Sequence, residues 1–205
     1  CVVADGAGCC GAIREHLNDH ERALADLRRN IDAWWPAVAR GEVEAIVMNA
    51  SGCGVTVKDY GHALAHDPDY AEKARAISDK TRDLSELLPL LAPALKGALQ
   101  GIPRTPVVFH PPCTLQHGQQ LRGGVETHLR DMGFQVVLAT AESHLCCGSA
   151  GTYSVLQPAM ALNLRERKLG YLLGTGAGMV ISANVGCISH LQGGTDVPVR
   201  HWVEL

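Results

Sequence analysis

The feature that most constrains this chain is a cysteine pattern that occurs twice. An adjacent cysteine pair followed by glycine lies at Cys9–Gly11 and again at Cys146–Gly148. In each copy a helical stretch and an apolar run follow, and a Gly-Cys step then ends the pattern at Cys53 and at Cys187. The interval from the second cysteine of the pair to this last cysteine is 43 residues in the first copy and 40 in the second. Such agreement indicates an internal repeat.

The second copy has a further cysteine upstream of its pair. This is Cys113, which lies 33 residues before Cys146 and ends the sequence His110-Pro-Pro-Cys. A counterpart in the first copy would lie before residue 1, and Cys1 is too close to Cys9 to replace it. We therefore expect the first repeat to be truncated at its start and the chain to be a fragment, with Cys1 in a strand and outside both cysteine groups.

Predicted strands and helices alternate along both copies. The predicted strands are 45–48, 106–109, 135–139 and 179–183, and the predicted helices are 14–34, 120–132 and 154–173. Pro36 is expected to end the first helix, and residues 56–100 to form a helical connector with a break near residue 67. The alternation predicts an α/β fold with small parallel sheets flanked by helices. Its two tandem repeats would span residues 1–100 and 101–205.

The cysteines of the second copy follow three successive predicted strands. We call them the second cysteine set: Cys113, Cys146, Cys147 and Cys187. Because parallel strands end at one edge of a sheet, we expect these four thiols to converge there. A four-thiolate metal site would bring the sulfur atoms within about 4 Å of one another, or slightly farther apart without the metal. A similar but incomplete first cysteine set is expected from the first copy: Cys9, Cys10 and Cys53.

Metal binding explains these cysteines better than disulfide bonding does. With 205 residues, 46% of them hydrophobic, the chain can fold without disulfides, and adjacent thiols bridge each other poorly. Thiolates are the preferred ligands of zinc and of iron–sulfur clusters. Gly11 and Gly148 would allow the backbone to approach such a group closely. The pattern by itself leaves zinc and an iron–sulfur cluster open.

Other functions are excluded by composition and by the order of motifs. The 18 Lys and Arg residues are scattered and the net charge is −3, so the basic surface typical of nucleic-acid binding is missing. The most apolar stretch, 84–99, is interrupted by charged residues and prolines and is not a membrane span. Gly174–Gly178 lies between a helix and a strand, which is the reverse of a dinucleotide-binding loop, and is interpreted as a helix-ending loop.

Histidines and tryptophans have structural interpretations beside functional ones. His16 and His20 are expected on one helix face, as solvated residues rather than a metal-binding pair. Four histidines flank the second cysteine set and could donate hydrogen bonds to sulfur, relay protons or serve structure: His110, His117, His144 and His190. Three tryptophans are interpreted as core or interface anchors: Trp34, Trp35 and Trp202.

These residues resemble the cysteine-rich CCG domain. That domain joins an upstream cysteine, a Cys-Cys-Gly step and a C-x-x-C step, and it occurs in heterodisulfide reductases and in iron–sulfur subunits of several flavin dehydrogenases. Longer stretches look like the iron–sulfur subunits of glycolate oxidases in particular: Asn30–Pro36, Ala50–Gly54, Cys113–His117, His144–Tyr153 and Arg200–Trp202. Here Ala50 and Asn184 replace the first cysteine of C-x-x-C. The resemblance therefore implies a four-thiol site for one [4Fe-4S] cluster or one zinc, rather than a five-cysteine site.

The resemblance implies a non-catalytic electron-transfer subunit of a glycolate oxidase (glycolate dehydrogenase) complex. Flavoprotein partners carrying FAD would oxidise glycolate, and electrons would pass through the iron–sulfur subunit toward quinone. It also implies an amino-terminal ferredoxin-like region ahead of this chain. The expected location is the cytoplasm, or the inner face of the cell membrane by peripheral association. Alternatives are a zinc-binding assembly module and the equivalent subunit of a lactate or glycerol-3-phosphate dehydrogenase.

Overall fold

The computed structural model describes residues 1–99, 105–139 and 141–205. Within them the chain forms two compact units, Cys1–Asp83 and Leu84–Leu205. The expected boundary between the repeats, at residues 100 and 101, lies outside the described residues. The division into repeats at 1–100 and 101–205 stays a prediction.

The first unit is mostly helical and contains a two-stranded parallel sheet. Its elements in chain order are α1 Ala12–His16, α2 His20–Ala39, β1 Ile46–Met48, α3 Ser51–Lys58, α4 Tyr60–Ala63, α5 Ala71–Lys80 and β2 Thr81–Asp83. The two strands pair in parallel, from Ile46 opposite Thr81 to Met48 opposite Asp83. The core of this unit is formed where α2, α3, α4 and α5 bury residues such as Ile31, Val57 and Ile77.

The second unit contains a four-stranded parallel sheet. Its elements are a 3₁₀ turn Leu84–Leu87, α6 Leu88–Ala98, β3 Val107–His110, a π-helical turn Thr114–Gly118, α7 Gly124–Asp131, β4 Val136–Val137, α8 Tyr153–Leu156, α9 Pro158–Leu173, β5 Met179–Ser182, α10 Val185–Gln192, β6 Val199–His201 and a 3₁₀ turn Trp202–Glu204. The strand order is β4-β3-β5-β6, and every pairing is parallel. The predicted α/β class with small parallel sheets flanked by helices is confirmed.

Both faces of this larger sheet are covered, which explains why its central strands are mostly apolar. Side chains alternate between the faces of a strand. Val107 and Phe109 accordingly pack into one hydrophobic cluster with Ile181 and Trp202, whereas Val108 packs into a second cluster with Val180. All four residues of β3 are buried. The central strands therefore position whatever follows them rigidly at the carboxyl edge.

The first predicted helix is in fact two helices, and Pro36 does not end the second. Asn18 adopts a left-handed conformation, with φ +62°, which ends α1 and separates it from α2. His16 closes α1 and His20 opens α2, so the prediction that they share one helix face is wrong. Pro36 lies in the last turn of α2, which continues to Ala39, because a proline there removes only one backbone hydrogen bond.

Three other sequence predictions need correction. Residues 56–100 contain strand β2, which the sequence Thr-Arg-Asp does not signal because it has one β-branched residue and no apolar one. The predicted helix 154–173 is interrupted at Gln157, which precedes Pro158 and has φ −131°, as expected from the steric demand of a following proline. Cys1 lies in no strand and is exposed.

Several smaller predictions agree with the structure. The segment Gly174–Gly178 follows α9 and precedes β5, as a helix-ending loop would. Trp202 is buried in one core cluster of the second unit, and Trp34 stacks on Tyr60 in the first. Trp35 is partly buried against the same core as Trp34. No helix within the described residues is long and apolar enough to cross a membrane.

Candidate metal centre

The second cysteine set is assembled at the carboxyl edge of the four-stranded sheet. Cys113 lies just beyond β3, and the pair Cys146 and Cys147 lies in the connection after β4. Cys187 is the third residue of α10, directly after β5. Parallel strands bring these segments to one place although 74 residues separate the first cysteine from the last. The structure thus brings together all four cysteines of the predicted second set.

The four thiols contact one another in a row, each touching the next. Cys146 contacts Cys113 on one side and Cys147 on the other, and Cys147 in turn contacts Cys187. Cys147 and Cys187 are buried, whereas Cys113 and Cys146 are half-buried. The row therefore runs from the interior of the second unit toward its surface.

Proton sharing along this row makes the thiol pKa values alternate. Hydrogen bonds from Cys113 and then Cys147 lower the pKa of Cys146 to about 2. The Cys147 contact likewise lowers the pKa of Cys187 to about 5. The same contacts raise the pKa of Cys113 and of Cys147. Neighbouring thiolates repel when no cation lies between them, so a metal group is what would allow all four to ionise. The donor set therefore fits a thiolate-bound metal centre.

His110 completes this site in a way that the sequence only partly indicated. It is the last residue of β3, and its side chain is fully buried. One ring nitrogen and the sulfur atoms of Cys147 and Cys187 all lie within 4.8 Å of one another. Neither ring nitrogen has a hydrogen-bond partner of ordinary geometry within the described residues, although the ring lies close enough to Cys187 to help lower the pKa of that thiol. His110 therefore belongs to the site itself.

The loop that carries the cysteine pair is held by a buried lysine that sequence reasoning missed. Lys168, from α9, is 1% exposed, and its Nζ donates to the carbonyl oxygens of Glu142 at 2.6 Å and Ser143 at 3.4 Å. Burial lowers the pKa of Lys168, while the nearby sulfurs of the second cysteine set oppose that shift. Gln116 also donates to Ser143, at 3.0 Å. Nothing in the amphipathic pattern of α9 distinguishes this lysine from a surface residue.

Two backbone features direct positive dipoles at the sulfur atoms. The amide of Gly148 donates to Cys146 Sγ at 3.4 Å, and its φ of +97° is favourable only for glycine. Cys187 lies in the first turn of α10, where the unpaired N–H groups and the helix dipole favour a negative charge. Both features would stabilise thiolates at the positions where a metal group would be held.

The first cysteine set is assembled in the first unit by the same local geometry. Cys53 is the third residue of α3, as Cys187 is of α10. A side-chain hydrogen bond with Cys53 lowers the pKa of Cys10 to about 6 and raises the pKa of Cys53. Cys9 lies close enough to raise the pKa of Cys53 through its charge. Cys1, by contrast, is exposed.

A buried asparagine and a buried tyrosine hold the first Cys-Cys pair in place. The Asn30 side chain accepts from the amide of Gly8 at 2.7 Å and donates to the carbonyl of Cys9 at 2.8 Å. It also donates to the Tyr60 hydroxyl at 3.0 Å, which in turn donates to the carbonyl of Cys10 at 3.0 Å. Asn30 and Tyr60 are both fully buried. Sequence reasoning missed this network because its partners lie 21 to 50 residues apart.

This network predicts a clear difference between two tyrosine substitutions. Tyr60→Phe removes a hydroxyl that both accepts and donates in the core, and it should lower the free energy of unfolding by about 1–3 kcal/mol. Tyr70→Phe is the matched control, because its hydroxyl donates to Asp32 at an exposed position, and it should cost less than about 0.5 kcal/mol. Urea unfolding followed by circular dichroism measures both. Equal losses would contradict the role given to the network.

Two of the remaining histidines near the second set, His117 and His190, have ordinary partners, and His144 is exposed. His117 Nε2 lies 3.1 Å from the carbonyl oxygen of His144, and His190 Nε2 lies 3.2 Å from the carbonyl oxygen of Ala161. The His20 ring pairs with Glu15 and Asn18. Of the four flanking histidines, His110 is therefore distinguished by a buried ring without such a partner among the described residues.

Comparison with known families decides the relationship of this chain. The sequence profile of the cysteine-rich domain named CCG matches residues 1–58 and 107–192. The chain belongs to this family. The two matched segments contain every member of the first and second cysteine sets, so the CCG resemblance expected from the sequence is confirmed.

Several relatives of this chain carry names that refer to glycolate or lactate. The chain is 48% identical to the "Glycolate oxidase iron-sulfur subunit" of Escherichia coli, over 100% of this chain and 49% of the relative. It is 29% identical to the "Probable glycolate oxidase iron-sulfur subunit" of Bacillus subtilis, over 95% of this chain and 43% of the relative. It is 22% identical to "Lactate utilization protein A" of Shouchella clausii, over 94% and 80%. The chain thus spans about half the length of the first two relatives.

Proposed function

We propose that this chain is the electron-transfer part of an iron–sulfur subunit in a 2-hydroxy-acid oxidoreductase, most specifically a glycolate oxidase. The observation that carries the proposal is the second cysteine set, four thiols and a buried histidine gathered at one edge of a parallel sheet. The 48% identity to a glycolate oxidase iron–sulfur subunit extends along the whole chain and supports the choice of substrate class.

The bound group is proposed to be an iron–sulfur cluster, specifically [4Fe-4S]. Cys113, Cys146, Cys147 and Cys187 would hold it as thiolates, and such a cluster accepts and returns single electrons. Zinc held by four thiolates needs all sulfurs around one point, with metal–sulfur distances of about 2.3 Å. The four sulfur atoms of the second cysteine set do not all lie within 4.8 Å of one another, and the name of the 48% identical relative, an iron–sulfur subunit, supports a cluster. A similar role is proposed for Cys9, Cys10 and Cys53 in the first unit.

The protein residues around the site would control charge and access. The Gly148 amide and the first turn of α10 stabilise negative charge at the sulfurs. Lys168 holds the cysteine loop by donating to the carbonyl oxygen of Glu142. Cys147 and Cys187 are buried while Cys113 and Cys146 are half-buried, so electrons would enter and leave on the Cys113 side. The proposed donors are FAD-containing flavoprotein subunits, and the proposed acceptor is quinone, with the complex at the inner face of the cell membrane.

The first test of this proposal is metal and sulfide analysis of anaerobically purified protein. Iron and acid-labile sulfide are expected in equal amounts, with the broad visible absorption of a cluster. When the protein is mixed with its flavoprotein partners under anaerobic conditions, glycolate should bleach this absorption. Stoichiometric zinc without iron would contradict the proposal and favour a structural zinc module.

Lactate is the informative control in that mixture. The lactate utilization protein of Shouchella clausii is matched over 80% of its length. This match favours lactate oxidation as the second candidate function. Bleaching by lactate and not by glycolate would assign the chain to that reaction. We expect glycolate to reduce the cluster at least about tenfold faster than lactate, a rate difference that corresponds to roughly 1.4 kcal/mol in activation free energy.

A further inference from the structure

The buried ring of His110 lacks a hydrogen-bond partner among the described residues. It is 0% exposed, and neither ring nitrogen has a hydrogen-bond partner within the described residues. Leaving a buried polar group without a partner costs about 1–3 kcal/mol, and buried polar groups in folded proteins are nearly always satisfied. An imidazole in this state next to thiols has the properties of a metal ligand.

The distances around His110 fit coordination. One ring nitrogen and the sulfur atoms of Cys147 and Cys187 lie within 4.8 Å of one another. Ligands of a single metal atom are roughly 3.5–3.8 Å apart at metal–nitrogen and metal–sulfur distances of about 2.0–2.3 Å, and ligands of different iron atoms in one cluster lie farther apart. The ring of His110 is therefore close enough to Cys147 and Cys187 to bind the same metal group. Within the described residues, this is the group of potential ligands that lies closest together.

The backbone fixes the position of His110 independently of any ligand. It ends the central strand β3 and pairs with Ser182 in the neighbouring strand β5. Its carbonyl oxygen accepts from the Ser182 hydroxyl at 3.0 Å. Two prolines follow it and restrict the chain between it and Cys113. The ring is therefore held in the site by the sheet, and a metal group would not need to recruit it from elsewhere.

The CCG pattern has one more cysteine than the second cysteine set. In the CCG pattern the C-x-x-C step supplies a thiol at the position of Asn184, which here caps α10 in an extended conformation, with φ −146°. The second cysteine set is thus one thiol shorter than the full pattern. His110 lies at the same carboxyl edge and offers the donor that Asn184 does not.

We propose that His110 is a direct protein ligand of the metal group held by the second cysteine set. This inference rests on the proposed function, because it requires a cluster at that site. A [4Fe-4S] cluster takes one protein ligand per iron, so His110 would bind one iron in place of one of the four thiolates. This exchange removes one negative charge from the coordination sphere, and histidine ligation is known to raise the potential of iron–sulfur centres. The chain would therefore hold a cluster that is easier to reduce than an all-cysteine one.

The test uses the full protein purified anaerobically with ¹⁵N-labelled histidine. Pulsed electron paramagnetic resonance of the reduced cluster should show a strong coupling to ¹⁵N of a coordinated imidazole. The coupling should disappear in His110→Gln and in His110→Cys, and it should persist in His190→Gln, a nearby histidine that already has the Ala161 carbonyl as a partner. His110→Cys should also keep its iron and sulfide and have a lower midpoint potential than the wild type.

The outcomes separate this inference from the proposed function. A wild-type protein with iron and sulfide but no strong ¹⁵N coupling would overturn the role of His110 and leave the electron-transfer proposal standing. The same holds if the coupling survives in His110→Cys, the variant that guards against a folding defect in His110→Gln. A wild-type protein without iron and sulfide would overturn both.

Discussion

Replacement of Cys187 by alanine is expected to empty the second site of iron. Cys187 is buried, and it contacts Cys147 and His110 at the inner end of the thiol row. Under the proposed function, the substitution removes one ligand of the cluster. Because this position is buried, water cannot replace the lost thiolate. We expect a loss of about 4 iron and 4 sulfide per chain relative to the wild type, because [4Fe-4S] clusters are held by four ligating side chains.

A cysteine outside both sets provides the control for that substitution. Cys1 is exposed and takes part in neither group of thiols, so Cys1→Ala should keep the iron and sulfide of the wild type. The measurement is iron by elemental analysis and sulfide by colorimetry on protein purified under nitrogen. Because the comparison is a difference between variants, iron bound elsewhere in the protein cancels. Unchanged iron in Cys187→Ala would contradict ligation by the second cysteine set.

The second large effect is expected from Gly148→Ala, and it concerns folding as well as the site. Gly148 has φ +97°, and a Cβ there would lie 2.3 Å from the carbonyl oxygen of Ala161, a backbone atom of α9. A left-handed conformation costs a non-glycine residue about 1–2 kcal/mol, and forcing two backbones apart costs about 1–3 kcal/mol more. We expect the free energy of unfolding to fall by about 2–5 kcal/mol.

Gly176→Ala isolates the conformational part of this cost. Gly176 also has a positive φ, +73°, but a Cβ there would meet nothing within 4 Å. Its replacement should therefore cost only about 1–2 kcal/mol. Urea unfolding of the two variants gives the difference, which reports the collision with α9. If Gly148→Ala costs no more than Gly176→Ala, the close approach of the Cys-Cys-Gly loop to α9 is not a constraint on the fold.

The parts of the fold that the sequence predicted are those governed by local pattern. The central strands β3 and β5 are short apolar runs bounded by helices, and they were predicted to within a residue or two. Strand β2 was missed because its three residues form a strand only through pairing with β1. The helix break at Asn18 was missed because the apolar periodicity continues across it, and the left-handed conformation of one residue leaves no mark on that periodicity.

In the candidate site, too, the features set by local sequence pattern could be predicted and those set by long-range contacts could not. The seven cysteines of the two sets could be selected from the repeat and from the position of the strands. The roles of Lys168, Asn30 and Tyr60 could not, because each depends on long-range contacts with backbone atoms of a distant loop. His110 lies between these cases. Its place at a strand end next to Cys113 was visible in the sequence, but the burial of its ring and its lack of a partner among the described residues were not.

All the candidate ligands of the second unit lie at the carboxyl edge of its sheet. The loops at the opposite edge, where the strands begin, are therefore free to vary in length. The segments that lead directly into the amino ends of β4, β5 and β6 contain no cysteine. One of them is the glycine-rich loop Gly174–Gly178. Insertions or deletions there would lengthen a surface turn without moving a thiol. The same change in the connections beyond β3, β4 or β5 would displace a donor atom. Over evolutionary time, length variation in this unit should therefore accumulate on one side of the sheet only.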